Sequence, residues 1–112
     1  KSKNLIYESK RKGDILLTEL EKIKIKFPKI IKYIFGKGLI AAILFKNIKK
    51  PKQTNLMVSK IVEHCMQSGL LVVHTGRESI KIGPPLTISD AALLEGIQVL
   101  KGSIKFFYEN EY

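Results

Sequence analysis

Residues 30–45 read IIKYIFGKGLIAAILF, and the fold turns on how they are divided. Ile30 to Phe35 is β-branched and aromatic, a composition that suits a pleated, half-buried surface. Gly36-Lys37-Gly38 reads as a tight turn, since flanking glycines supply the backbone freedom that a reversal needs. Leu39 to Phe45 is apolar at every position, the pattern of a strand covered on both faces. Two strands joined this closely must run antiparallel. The stretch therefore predicts a hairpin, and the remaining chain must supply layers to cover it.

Upstream, Lys3 to Phe27 reads as a helix. Leu16, Leu20, Ile23 and Phe27 follow the i, i+4, i+7, i+11 spacing of one buried stripe. Glu19 and Glu21 stand among lysines on the other faces, as on a solvated surface. Gly13-Asp14 is expected to bend or divide this helix, because glycine costs about 1 kcal/mol relative to alanine in a helix interior. Pro28 ends it. Downstream, Lys46 to Thr54 carries four lysines and Pro51 and reads as a surface loop. Thr54 or Asn55 then caps a second helix running to Gly69, with a stripe of Val58, Ile61, Val62 and Cys65. Strands follow at Leu70 to His74 and at Ser79 to Gly83, joined by a Thr75-Gly76-Arg77-Glu78 turn. Pro84-Pro85 closes the second of them. Ser89 caps a last helix with Asp90 in its first turn, and Leu93, Ile97, Leu100, Ile104 and Phe107 form its inner face.

The order is thus α-β-β-α-β-β-α. Strands in hairpin-like pairs with intervening helices imply an α+β fold, a two-layer sandwich with a mainly antiparallel four-stranded sheet and helices on one face. At 112 residues the whole chain, 1–112, makes a single domain, and 45% hydrophobic content is enough for its core. The longest apolar run, Leu39 to Phe45, falls far short of the roughly 20 residues that a membrane-spanning helix needs. No signal-peptide pattern follows Lys1-Ser2-Lys3, and the absence of an initial methionine suggests a piece of something longer. Cys65 is the only cysteine, which excludes an internal disulfide and points to a reducing, cytoplasmic setting.

Charge is distributed unevenly. Of the 20 basic residues, 14 lie in residues 1–50 against four acids, whereas residues 51–112 hold six of each sign. Such asymmetry can mark a nucleic-acid surface. Yet Arg11 and Arg77 are the only arginines, and readers of nucleic acid lean on arginine for bidentate contacts. A bias that fills solvated faces with lysine accounts for the charge at least as well.

Four local patterns, in this order, resemble the C-terminal small domain of class III pyridoxal-phosphate aminotransferases. They are Gly36-Lys37-Gly38-Leu39 leading into an apolar strand, Gly69-Leu70-Leu71-Val72 at a helix end, Ile80-Lys81-Ile82-Gly83-Pro84-Pro85-Leu86, and Thr87-Ile88-Ser89-Asp90 opening a long amphipathic helix. Each is common by itself; their order and spacing from Ile30 onward carry the resemblance. It implies a parent enzyme that exchanges an amino group between an amino acid or ω-amine and a 2-oxo acid. That parent would use pyridoxal phosphate and act as a homodimer. The resemblance also implies that the cofactor-bonding lysine, the aspartate facing the pyridine nitrogen and the phosphate loop belong to a large domain, with no equivalent set in these residues. This chain by itself is then expected neither to bind the cofactor well nor to transaminate.

The family commonly has an arginine three residues before the first proline of the Pro-Pro pair, where it meets a substrate carboxylate or a glutamate of the large domain. Here that position is Lys81. Lysine can hold a carboxylate as a point charge but not through a bidentate fork. Strand alternation puts Arg77, Ser79 and Lys81 on one face and Ile80 and Ile82 on the other, so Arg77 can share the role or take it over. The plainer reading is that both are solvated strand residues.

Other candidates are weaker. His64 and His74 lack a cluster of ligands at metal spacing. Cys65 reads as core filler. Gly36-Lys37-Gly38 lacks the following helix that a phosphate loop requires, and Phe106, Phe107 and Tyr108 read as helix packing rather than a base-stacking platform. Two alternatives remain: a small basic α+β module that binds RNA or DNA, and a free-standing structural domain that kept the fold alone.

Overall fold

The computed structural model describes residues 2–46, 51–67, 73–75, 78–84 and 87–110. Its elements are α1 (Ser2–Lys26), β1 (Ile31–Lys37), β2 (Ile40–Phe45), a 3-10 turn at Pro51–Gln53, α2 (Thr54–Gln67), β3 (Val73–Thr75), β4 (Ser79–Ile82) and α3 (Asp90–Asn110). The α+β class and the three helices agree with the sequence reading. The strands form one antiparallel sheet in the order β1-β2-β4-β3, with β3 contributing three residues at an edge. Leu70 to Val72 and Gly69, expected in a strand and at a helix end, lie outside the described residues.

Helix α1 is a single element of 25 residues, unbroken at Gly13-Asp14. Glycine there answers to packing rather than to a bend. A Cβ on Gly13 would run into the backbone of Gly38, whose Cα would stand 3.3 Å away and whose carbonyl would be nearer still. The helix thus rests directly on the tip of the β1–β2 hairpin. Leu16, Leu20, Ile23 and Phe27 are all buried, as their spacing demands. The Phe27 amide donates to the Ile23 carbonyl at 2.9 Å to close the last turn, and Pro28 follows.

The hairpin is tighter than its glycines suggest. Gly36 and Lys37 are still strand residues, paired with Ala41 and Ile40, and the loop is the two residues Gly38-Leu39. Gly38 takes a φ of 57°, the left-handed region that glycine enters without steric cost. Lys37 is therefore a strand residue whose side chain has a defined face.

Strand β2 alternates: Ala41, Ile43 and Phe45 are buried, whereas Ile40 is 51% exposed and Ala42 and Leu44 are half-buried. The continuous apolar run thus does not mean that both faces are covered. One face of the sheet joins the helices' inner residues in a single cluster that includes Ile43, Phe45, Ile80, Leu20, Ile61 and Leu100. The other face stays open. Register sets its occupants: Phe35, Ala42 and Lys81 lie in one row, and Tyr33, Leu44 and Ser79 in the next.

Helix α3 begins as expected. Ser89 Oγ accepts a hydrogen bond from the Ala92 amide at 3.1 Å, and the Leu93 amide donates to the Ser89 carbonyl. Leu93, Ile97, Leu100, Ile104 and Phe107 are buried. No helix among the described residues is long and apolar enough to cross a membrane.

Candidate functional site

Lys81 sits in the middle of β4, with Ala42 of β2 on one side and Val73 of β3 on the other. Its neighbours Ile80 and Ile82 are buried, so the pleat turns the lysine to the open face. A groove of about 530 Å³ runs beside it, walled by Lys81, Gly83, Ile40, Lys37, Gly38 and Ser9. A shallower extension over Phe35 and Ala42 is bordered by the same two lysines. No acidic residue lines either space among the described residues, and neither lysine has an ion-pair partner there. Arg77, the other candidate for a carboxylate contact, lies outside the described residues.

Two cations on one apolar floor make a place for an anion. Both lysines are exposed, so the attraction is that of solvated charges, and a lysine without an ion-pair partner leaves its hydrogen-bond donors available. Lys37 was not singled out from the sequence, because it was read as the middle of a turn. Its signal was present in the spacing of the hairpin: a two-residue loop at Gly38-Leu39 puts residue 37 opposite residue 40, on the face that also carries residues 42 and 81.

Two carboxylates close to this region in the chain, Glu8 beside Ser9 and Asp90 after Pro84, have a different task. Arg11 on α1 grips Asp90 through two parallel bonds of 2.8 and 3.0 Å, and Glu8 through two more of 2.8 and 3.0 Å. This double fork ties the start of α3 to α1. The guanidinium's hydrogen bonds hold both carboxyls below their ordinary range, against the opposing effect of burial, and the two acids raise the Arg11 pKa in turn. A depressed carboxyl stabilises the fold above its unfolded pKa, and that contribution disappears as pH falls through the folded value. Asp90→Asn is therefore expected to lower the urea midpoint slightly at neutral pH and to differ little from the unaltered chain in acid. An equal difference at both pH values would show that the ion pair contributes nothing. The groups are exposed, so the neutral-pH effect is small.

The remaining candidates are structural in their surroundings. Cys65 is buried, and that burial pushes its thiol up despite a hydrogen bond with Ser103. A neutral buried thiol is a core filler. His64 joins α2 to α3: its Nδ1 lies 2.8 Å from Ser103 Oγ, and that hydroxyl donates to the Val99 carbonyl at 2.9 Å. Phe106 stacks on the same ring at 5.0 Å, and Tyr108 meets Phe27 edge-on at 5.6 Å. Of the three C-terminal aromatics only Phe107 is fully in the core. Among the described residues no group of three His, Cys, Asp or Glu stands together to hold a metal. A separate cavity of about 210 Å³ between α1, β4 and α3 is lined by apolar groups such as Leu16, Ile82, Ile88 and Leu93, and offers no polar chemistry.

An antiparallel sheet with three helices packed on one face, its other face open and a groove with two lysines beside the hairpin tip, makes an α+β domain. The family model described as aminotransferase class-III matches residues 1–104, and the chain belongs to that family. It is 31% identical over 98 residues to the mitochondrial acetylornithine aminotransferase of Saccharomyces cerevisiae, covering 88% of this chain and 21% of that one. It is 36% identical over 98 residues to the diaminobutyrate–2-oxoglutarate transaminase of Nocardia farcinica, covering 86% and 20%. Among solved structures, a Bacillus anthracis aminotransferase superposes with a TM-score of 0.82 at 28% identity, over 94% of this chain and 25% of its own. The ornithine aminotransferase of Plasmodium yoelii gives 0.79 at 29%, over 95% and 26%. The chain thus spans about a fifth of the length of the curated relatives it matches. These comparisons lend the nucleic-acid alternative no support.

The family implies pyridoxal phosphate, a group that needs a lysine for its aldehyde, an acid for its ring nitrogen and donors for its phosphate. The groove has lysines, the Ser9 hydroxyl and the Gly38 turn, but no acid faces them among the described residues. Glu8 and Asp90 are both engaged by Arg11. This set does not fit the cofactor.

Proposed function

We propose that residues 1–112 are the small C-terminal domain of a pyridoxal-phosphate aminotransferase, and that Lys81 holds a substrate carboxylate for it. The observation that carries this reading is the position of Lys81, unpaired among the described residues and exposed at the rim of an acid-free groove on the open sheet face. Arg77, four residues earlier in the chain, is a second contact for the same group. The intact enzyme exchanges an amino group between an amino acid or ω-amine and a 2-oxo acid, and the cofactor, held by the large domain, supplies the electron sink for that chemistry. The printed names of the relatives favour a donor with two amino groups, of the ornithine or diaminobutyrate kind.

Exposed Tyr33, Phe35 and Ile40 support docking of this face on the rest of the protein, since contiguous apolar surface seldom stays wet. A homodimer of the intact enzyme belongs to the same reading. The single buried cysteine supports a reducing compartment, cytoplasmic in this proposal, although several relatives carry a mitochondrial name.

The test is amino transfer by the whole protein that carries this chain, with pyridoxal phosphate supplied. Absence of transfer to any 2-oxo acid overturns the enzymatic reading. Lys81→Ala is expected to raise KM for the carboxylate substrate by about ten- to a hundredfold, the range for losing one charge-assisted hydrogen bond. Lys81→Arg should retain or improve affinity through its bidentate fork. An unchanged KM in Lys81→Ala removes this residue from the site. The chain by itself should bring no amino transfer when mixed with cofactor and substrates; measurable turnover there would contradict its role as a partial enzyme.

A further inference from the structure

We infer that β1 is a docking edge for an acidic segment of another protein, which adds to the sheet as an extended strand and is held by the lysines around Tyr33. The inference goes beyond the reading of Lys81. It concerns the edge of the sheet rather than its open face, and either can fail without the other.

Sheet topology supplies the backbone part. In the order β1-β2-β4-β3, β1 lies at the end and pairs only with β2 among the described residues. It is seven residues long, against three for β3 at the opposite edge. In an antiparallel pair every second residue of a strand turns its N–H and C=O away from its one neighbour. Those groups are a template for a further strand. The edge is also supported from behind. Ile31 is buried, Ile34 packs against the core, and Gly36 is backed by Leu17, which a Cβ there would meet at 3.0 Å. A partner strand thus meets a backbone already in position, and less freedom is lost on binding.

Charge decides what kind of strand can pair there. From Lys22 to Val62 the chain holds eleven lysines and no acid. Several of them converge on β1: Lys24 and Lys26 lie in the last turn of α1, Lys29 in the turn that follows, and Lys32 on the strand. The ammonium groups of Lys24 and Lys32 stand 6.0 and 5.7 Å from the centre of the Tyr33 ring, so two cations flank one exposed residue of the edge. None of these four lysines has a carboxylate partner among the described residues. An edge so charged repels a second copy of itself, which is a common protection of open edges. The same field attracts a strand with acidic side chains at alternate positions, so one set of charges excludes the wrong partner and selects the right one. A nucleic acid would meet the charge but has no peptide groups to pair with the edge, and none of the four cations is the arginine that phosphate recognition favours.

The experiment is fluorescence anisotropy of the whole protein that carries this chain, with a labelled heptapeptide alternating glutamate and valine. Binding is expected at low salt and should weaken as salt is raised. Methylating the peptide's amide nitrogens keeps its charge but removes its backbone donors, and should weaken binding by about tenfold or more. Replacing its glutamates by lysines should abolish binding. The double variant Lys24→Glu, Lys32→Glu should weaken it by about tenfold or more, while Lys24→Arg, Lys32→Arg should preserve it. Hydrogen exchange should show the amides of β1 protected by the peptide and not by its methylated form. No binding at low salt, equal binding of the methylated peptide, or protection that avoids β1 overturns the inference. Tighter binding of a uridylate heptamer, sensitive to the same lysines, also overturns it, because charge alone would then be read. The outcome is independent of Lys81, since no amino-transfer substrate enters the measurement.

Discussion

Gly13→Ala will destabilise the fold, although on an isolated helix the same change is stabilising. Position 13 lies inside a 25-residue helix, where alanine is favoured over glycine by about 1 kcal/mol. Against that gain stands the hairpin tip. The new methyl would occupy the space of the Gly38 carbonyl, with the Gly38 Cα only 3.3 Å away. The obstacle is backbone, and it cannot rotate aside as a side chain would. Gly38 also cannot retreat freely, because its φ of 57° belongs to a two-residue loop fixed by the pairs on either side. Overpacking of this kind costs about 1–3 kcal/mol, and it outweighs the propensity term. The urea midpoint of Gly13→Ala should therefore fall, and that of Gly13→Val should fall further. A rise for Gly13→Ala would mean that the helix does not touch the hairpin. Because the same turn carries Lys37, a displaced tip should also weaken anion binding in the groove.

Phe45→Ala is expected to cost more, about 3–5 kcal/mol, the usual range for a large aromatic removed from a core. Phe45 is 1% exposed, belongs to the central cluster and donates its backbone amide to the Glu78 carbonyl at 2.8 Å. Truncation would leave a cavity between the sheet and the helices. Phe35 provides the control. It is equally aromatic and lies on the neighbouring strand, but it is 56% exposed on the open face. Phe35→Ala in the chain by itself should change stability by less than about 0.5 kcal/mol. Thermal or urea denaturation of the pair decides the matter: comparable losses would mean that both faces of the sheet are covered. In the whole protein Phe35→Ala should become costly if the large domain lies against that face, as proposed.

Much of the architecture was legible because periodicity reports burial directly. The stripes of α1 and α3 were complete: Leu16, Leu20, Ile23 and Phe27 on one helix, and Leu93 through Phe107 on the other, are all buried where the 3.6-residue repeat puts them. Ser89 could be identified as a cap because its hydroxyl acts on an amide three residues away, a purely local event. The groove was half legible. Lys81 could be found from the family resemblance, as the residue three before the first proline of the Pro-Pro pair, whereas Lys37 was hidden by the turn assigned around it. The Arg11 clamp gave no local sign, since Arg11 and Asp90 are far apart in the chain. Nor did the link from His64 to Ser103.

The Ile30–Phe45 stretch shows where the division falls. Sequence by itself determined that it is two strands and a glycine turn, because branched and aromatic side chains and paired glycines constrain the backbone through short-range sterics. It could not determine which face of β2 would be open. Seven consecutive apolar residues carry no period, and only the positions of the three helices decide that Ile43 is enclosed and Ile40 is not. Tertiary structure likewise decided why Gly13 is glycine and why Lys37 and Lys81 share one groove. Those facts depend on distances between segments remote along the chain, and such distances are set by packing, which no local preference encodes.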